Sequence, residues 1–151
     1  MYHIAEKTLT TILLSILVVL GIAPNAQAQP SCSNASLSGS FGYTNTGTIV
    51  TPPLGLFAGV GRQTFDGKGN TEATATVSVN GEIYQSTIKG TYVVNPDCTG
   101  SMTLSVSAGG QHFTNQVDFV IVRGGTEFEA INKDSGSVIT TVGKKQLLER
   151  E

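Results

Sequence analysis

The short segment Asp66-Gly67-Lys68-Gly69-Asn70 contains residue types found in loops that bind phosphate or calcium. A phosphate-binding loop follows the pattern G-x-x-x-x-G-K-[S/T], because its backbone amides cradle the phosphates and its hydroxyl holds magnesium. Here five residues separate Gly61 from Gly67, and Gly69 follows Lys68 where a hydroxyl residue is required. A calcium loop needs oxygen ligands at alternate positions, and Gly67 and Lys68 offer none. The segment predicts a turn between two strands and no metal site.

Side chains suited to catalysis are sparse. Beyond the N-terminal segment His112 is the single histidine, and no Gly-x-Ser-x-Gly elbow occurs, so a nucleophilic triad is not predicted. Arg62, Asp118 or Glu129 would orient a polar ligand if it pointed into a barrel; the alternative is that they face water. Glu127 and Glu129 would share one strand face, but the chain has no tryptophan to form a sugar platform. We predict no catalytic residue and no cofactor, and an enzymatic role is the weaker expectation.

The charge of the chain is low and evenly spread. Nine basic and eleven acidic residues leave a formal net charge of −2, and Lys144-Lys145 is the only adjacent basic pair. Proteins that bind nucleic acid or anionic lipid concentrate basic residues on one face. Nucleic acid is therefore excluded as a partner.

The N-terminal segment has the pattern of a secretory signal peptide. Lys7 precedes an apolar run of 11 residues, Ile12 to Ile22, which is followed by Ala26-Gln27-Ala28. Such a run with a small-residue cleavage site is typical of an exported protein, and it is shorter than the roughly 20 residues of a membrane span. We predict a signal peptide over 1–28 and a protein that is secreted or periplasmic, without membrane insertion after cleavage.

Two cysteines, Cys32 and Cys98, remain after cleavage. An even number of cysteines in an exported chain predicts a disulfide bond. Closing a loop of this size stabilises a protein by roughly 4 kcal/mol. The bond would hold the new N-terminus against the folded domain.

Outside the signal peptide, Thr, Val and Ser alternate through segment after segment, which is typical of an all-β protein. Asn80-Gly81 follows the clearest strand and is a strong hairpin signal. Eight candidate strands lie between such turns: Leu37–Tyr43, Leu56–Phe65, Thr71–Val79, Ile83–Val94, Ser101–Ser107, His112–Val122, Glu127–Asn132 and Ser137–Val142. They make one domain over 29–143, followed by a polar tail over 144–151.

The short connections between these strands favour a single antiparallel up-and-down barrel of about eight strands. Closure would remove the two exposed edges of the sheet, and a Greek-key β-sandwich is the alternative. Glycines inside the strands indicate bends or close packing between neighbouring strands; they are Gly39, Gly42, Gly59, Gly61 and Gly90.

Several turn and strand motifs resemble those of small secreted bacterial β-barrel proteins of unassigned function. They occur in the same order as in that group, at Leu37–Gly42, Phe65–Asn70, Asn80-Gly81, Gly90–Gly100 and Phe119–Val122. The resemblance implies an architecture similar to calycin or allene-oxide-cyclase-like barrels. It identifies no catalytic residue, because none matches position by position.

An eight-stranded barrel has an interior that is either filled by side chains or holds one small ligand. We expect a small apolar ligand in the barrel, with a lining drawn from Tyr84, Tyr92, Met102, Leu104, Phe119, Phe128 and Arg62. Two alternatives are an extracellular structural or interaction protein without a cavity and an allene-oxide-cyclase-like isomerase.

Overall fold

The computed structural model describes residues 31–147. The predicted signal peptide and the last four residues lie outside this range. Eight strands make up most of it: β1 (Ser38–Ile49), β2 (Gly55–Asp66), β3 (Asn70–Val79), β4 (Glu82–Val94), β5 (Thr99–Ala108), β6 (Gln111–Val122), β7 (Glu127–Asn132) and β8 (Ser137–Lys145). Two single-turn 3₁₀ helices cover Asn34–Ser36 and Arg123–Gly125. Within residues 31–147, no helix has the length and apolar character needed to cross a membrane.

The eight strands form one closed antiparallel barrel in which each strand pairs with its neighbours in the sequence. β8 returns to β1, pairing Lys145 with Phe41 and Ser137 with Ile49. Closure leaves no edge strand with unpaired backbone groups. The prediction of an eight-stranded up-and-down barrel is confirmed, and the Greek-key sandwich is wrong.

The first and last strands are longer than the sequence pattern indicated. β1 continues past Tyr43 to Ile49, and β8 continues past Val142 to Lys145. Both extensions are polar or glycine-rich, so they lack the apolar alternation by which strands are recognised. Lys144 and Lys145, assigned to a polar tail from the sequence, therefore belong to the barrel wall.

The turns form as predicted. Asn80 and Gly81 both have positive φ, 52° and 90°, as a two-residue type I′ hairpin requires. In the Asp66–Asn70 turn, Asp66 Oδ1 accepts hydrogen bonds from the backbone amides of Lys68 (2.7 Å) and Asn70 (2.9 Å). These bonds hold the turn, so the aspartate has a structural role.

One end of the barrel, here called the packed end, is filled by large side chains. Its core consists of Leu37, Phe41, Phe65, Tyr92, Val94, Met102, Phe119, Ile121, Phe128 and Ala130. The rings of Phe41, Phe65 and Phe128 lie with their centroids 5.5–5.6 Å apart, within the range of favourable aromatic pairs. This cluster closes the barrel at the end where the chain enters and leaves it.

The N-terminal segment is attached to the packed end by a covalent bond and by hydrogen bonds. Cys32 and Cys98 form the predicted disulfide, with their Cα atoms 5.0 Å apart. The Val94 amide donates to Asn34 Oδ1 at 2.8 Å. Tyr92 Oη donates to the Leu37 carbonyl at 2.8 Å. The segment before β1 thus covers the packed end.

Candidate ligand-binding cavity

The opposite end of the barrel, here called the cavity end, contains a cavity of about 780 Å³. The loop between β1 and β2, the Asn80-Gly81 turn, the Gly109-Gly110 turn and the β7–β8 turn lie at this end, and Gly109, Ser135 and Gly136 contribute to the lining. This volume falls within the range of pockets that hold small molecules.

The cavity exists because small residues meet across the inner wall. Strand register places Gly61 beside Ala75, Ala75 beside Ser86, and Ser86 beside Ala108. These four residues form a continuous belt across β2 to β5 on the inward face. Side chains this short cannot reach the barrel axis, so the space over Ala75, Ser86 and Ala108 stays open, whereas Tyr43 covers Gly61.

The wall of the cavity is mainly apolar. Besides Tyr43 and Tyr84, its aliphatic and aromatic members are Ile49, Phe57, Ala75, Val77, Val79, Ile88, Met102, Leu104, Val106, Ala108, Phe113, Val117, Phe128, Ala130 and Ile139. Asp134 is the one charged residue among the lining residues within 31–147. It lies in the β7–β8 turn, where its Oδ2 accepts a hydrogen bond from the Gln116 amide at 2.8 Å. The deeper wall is therefore uncharged.

The buried amide of Gln63 has protein partners. Its Nε2 donates to Thr71 Oγ1 at 3.0 Å and approaches Met102 Sδ at 3.7 Å. Thr71 Oγ1 in turn donates to the Thr64 carbonyl at 2.9 Å. This short chain of hydrogen bonds fixes Gln63 at the boundary between the packed end and the cavity.

Tyr43 and Asn45, by contrast, have polar atoms without protein partners. Both point inward from β1 and line the cavity. Tyr43 is only 5% exposed, and Tyr43 Oη and Asn45 Oδ1 are buried without a hydrogen-bond partner among residues 31–147. Burial raises the pKa of the Tyr43 phenol to about 12, so it is neutral at physiological pH. An unsatisfied buried group costs about 1–3 kcal/mol, which suggests that these atoms serve another purpose.

Two glycines of β2 make room for this pair. Gly61 lies opposite Tyr43 and Gly59 opposite Asn45. A Cβ on Gly61 would lie 2.8 Å from Tyr43 Cζ, and one on Gly59 would overlap Asn45 Oδ1. The two side chains therefore lie flat across β2, inside the barrel.

At the mouth of the cavity, aromatic residues combine with polar groups. Tyr84 donates its hydroxyl to the Glu82 carboxylate, a contact that raises the pKa of Tyr84. Phe113 points inward from β6 yet is 47% exposed, so its ring is accessible from solvent. The mouth thus presents aromatic rings beside polar groups to an entering molecule.

Four of the residues predicted as lining do lie on the cavity wall: Tyr84, Met102, Leu104 and Phe128. Met102 and Phe128 are nearly fully buried and belong also to the packed core. They separate the two ends of the barrel and form the cavity floor. Tyr84 lies at the mouth, and Leu104 lies between the mouth and the cavity floor.

The other three predicted lining residues lie elsewhere. Tyr92 and Phe119 have the inward orientation expected for them, but both are in the packed end and not on the cavity wall. Arg62 is on the outer face and exposed, since it follows inward-facing Gly61 in a strand of alternating side chains. Asp118 and Glu129 are exposed on the outside in the same way.

The sequence pattern did not predict Tyr43, Asn45 or Gln63 as lining residues. Asn45 lies in the half of β1 that was not recognised as strand, because a polar residue on an inward face breaks the apolar pattern. A signal was nevertheless present. Gly59 and Gly61 leave a gap in the inner face of β2, and a facing strand with large inward residues would fill it.

Comparisons with known proteins leave the family of this chain open. No protein-family model and no curated protein matches the sequence. A solved structure described as EF1p2_mFAP2b bound to DFHBI resembles it with a TM-score of 0.49 and 15% sequence identity. The match covers 78% of this chain and 100% of the other. The resemblance to calycin or allene-oxide-cyclase-like barrels, and to the small secreted bacterial proteins, therefore stays a prediction.

Proposed function

We propose that this protein is an exported binding protein that holds one small apolar molecule in the cavity of its barrel. The observation that carries the proposal is the cavity of about 780 Å³ with a mainly apolar wall. Burial of apolar ligand surface contributes roughly 25 cal/mol per Å², so a wall of this composition favours apolar ligands. The disulfide supports export, because such bonds persist in oxidising compartments.

The alternative of a structural protein without a cavity does not fit a barrel that is hollow at one end. The isomerase alternative needs an acid or a base inside the barrel. The ionisable lining residues within 31–147 are Tyr43, Tyr84 and Asp134. The last two lie at the mouth, and the pKa of Tyr43 is about 12, far from the value that favours proton transfer near neutral pH. Binding is therefore the better-supported function.

A fluorescent apolar dye provides the test. We expect Nile red to bind the folded, disulfide-bonded protein at one site, with a blue shift and increased emission. Ala75→Phe would place a ring in the belt of small residues and should lower Nile red affinity by about five- to 150-fold, the equivalent of the roughly 1–3 kcal/mol that overfilled space costs. Ser86→Leu, on the neighbouring strand, should act in the same direction.

Thr76→Phe is the matched control. Thr76 follows Ala75 on β3 but faces outward and is exposed, so the same ring should leave dye affinity unchanged. Circular dichroism would show that each variant is folded. If wild-type protein does not bind Nile red, or if folded Ala75→Phe and Ser86→Leu bind it as wild type does, the proposal is wrong.

A further inference from the structure

The unpartnered polar atoms of the cavity give information about its ligand. Tyr43 Oη and Asn45 Oδ1 are the buried side-chain polar atoms without a partner in the described part of the chain. Both belong to lining residues, and they are two positions apart on the same face of β1. Buried polar groups in proteins are nearly always hydrogen-bonded. Their shared location indicates that a ligand supplies the missing partners.

The two groups differ in what they require. A neutral phenol donates one hydrogen bond and also accepts, whereas an amide oxygen only accepts. A group that donates a hydrogen bond to Asn45 and either accepts one from Tyr43 or donates one to it satisfies both. Hydroxyl and carboxamide groups do this, whereas hydrocarbons do neither and ethers can only accept.

The charge of the wall restricts the ligand further. A buried carboxylate or ammonium needs an opposite charge or several hydrogen bonds. The lining residues within 31–147 include no lysine, arginine or histidine, and their single carboxylate, Asp134, is at the mouth. Neither an anionic nor a cationic head group would find a counter-ion beside Tyr43 and Asn45.

We propose that the ligand is a neutral molecule with an apolar body and a hydroxyl or carboxamide group, and that this group binds to Tyr43 and Asn45 when their side chains turn from β2 towards the barrel axis. The inference rests on the proposed function and adds the ligand's chemical class. The apolar body would lie against the belt of small residues and the aliphatic wall. In the ligand-free barrel, Gly59 and Gly61 leave room for Asn45 and Tyr43 to lie against β2.

Three probes with the same chain test this inference: decanol, decyl methyl ether and decanoate. Their affinities are measured by displacement of Nile red near neutral pH. We expect decanol to bind about three- to tenfold more tightly than the ether, the range for the one hydrogen bond, to Asn45, that the ether cannot make. Decanoate should bind most weakly, because its charge would be buried without a partner.

Variants test the two side chains separately. Asn45→Leu should reduce decanol affinity to that of the ether and leave ether affinity as in wild type. Tyr43→Phe should weaken the binding of both probes, because each can accept from the Tyr43 hydroxyl. Tyr92→Phe is the matched control, because Tyr92 donates to the Leu37 carbonyl in the packed end and does not line the cavity. It should retain the wild-type preference for decanol.

Thermal unfolding of the ligand-free protein gives a second readout. Tyr43→Phe should leave the Tm unchanged or higher, since its hydroxyl has no partner to lose, whereas Tyr92→Phe should lower it. Equal binding of decanol and ether by wild type, a preference for decanol that persists in folded Asn45→Leu, or unchanged affinity of both probes for folded Tyr43→Phe overturns the inference and leaves the binding function intact. If neither Nile red nor any of the three probes binds, the proposed function itself is wrong, and the inference with it.

Discussion

The carboxylate of Asp66 and the hydroxyl of Tyr43 represent two uses of a polar group in this barrel. Asp66 accepts three hydrogen bonds within its own turn, from the Lys68 amide, the Asn70 amide and Asn70 Nδ2. Tyr43 Oη is buried without a partner in the described chain. The residue whose surrounding sequence most resembled a binding loop is structural, and an inconspicuous tyrosine is the candidate for binding.

Asp66 makes stability depend on pH in the acid range. Its hydrogen bonds, chiefly those with Asn70, lower the pKa of the carboxyl from 3.8 to about 2. A carboxyl whose pKa is lower in the folded than in the unfolded state stabilises the protein at pH values above its unfolded-state pKa. That contribution is lost as the pH falls through its folded-state pKa. Asp66→Asn should therefore lower the Tm near neutral pH, and the difference from wild type should shrink between about pH 4 and pH 2. A Tm difference that is constant over this range would contradict the assignment.

At the scale of elements, large inward side chains lie across glycines of neighbouring strands. Phe119 is opposite Gly100, and Phe128 is opposite Gly143. A Cβ on either glycine would overlap the facing ring. Glycine at these positions therefore lets the barrel hold large rings without distorting the sheet. Gly61 makes room for Tyr43 in the same way.

Gly100→Ala should be destabilising for this reason. The added methyl group would overlap the Phe119 ring, and overpacking of a filled core costs about 1–3 kcal/mol. Gly42→Ala is the control, because a Cβ there would meet only Gln146 Nε2, at 3.8 Å. Urea unfolding of both variants measures the difference. Equal stability of the two variants would show that the packed end relaxes around the methyl group.

At the scale of the whole molecule, stability and binding are assigned to opposite ends of the barrel. The aromatic cluster, the disulfide and the segment before β1 are all at the packed end. The cavity, the belt of small residues and the aromatic mouth are at the other. This separation allows one end to stay hollow while the other maintains closure of the sheet.

Removal of the disulfide tests this separation. The bond joins residues 66 positions apart, and the entropy of closing such a loop corresponds to about 4 kcal/mol. Replacing Cys32 and Cys98 by Ser should lower the free energy of unfolding by an amount of this order, measured in urea. Nile red affinity of the folded variant should not change, because neither residue lines the cavity. A parallel loss of dye affinity would contradict the independence of the two ends.

Much of the fold follows from local pattern. The eight strands, the Asn80-Gly81 hairpin and the Asp66–Asn70 turn were predicted from residue alternation and turn chemistry, which act over a few neighbouring residues. The second half of β1 was missed because Asn45 and Gly47 occupy its inward positions. An inward face that lines a cavity does not show the apolar pattern of a packed core.

By itself, the sequence determined the strands, the turns, the disulfide and the antiparallel order, since each depends on residues that are close in the chain or on the only available pair of cysteines. The tertiary structure decided which end is hollow. Gly61, Ala75, Ser86 and Ala108 come from four different strands, and only the register between strands brings them into one belt. The same register lays Tyr43 and Asn45 over Gly61 and Gly59. The cavity and its polar pair are properties of contacts between strands, and no single strand carries them.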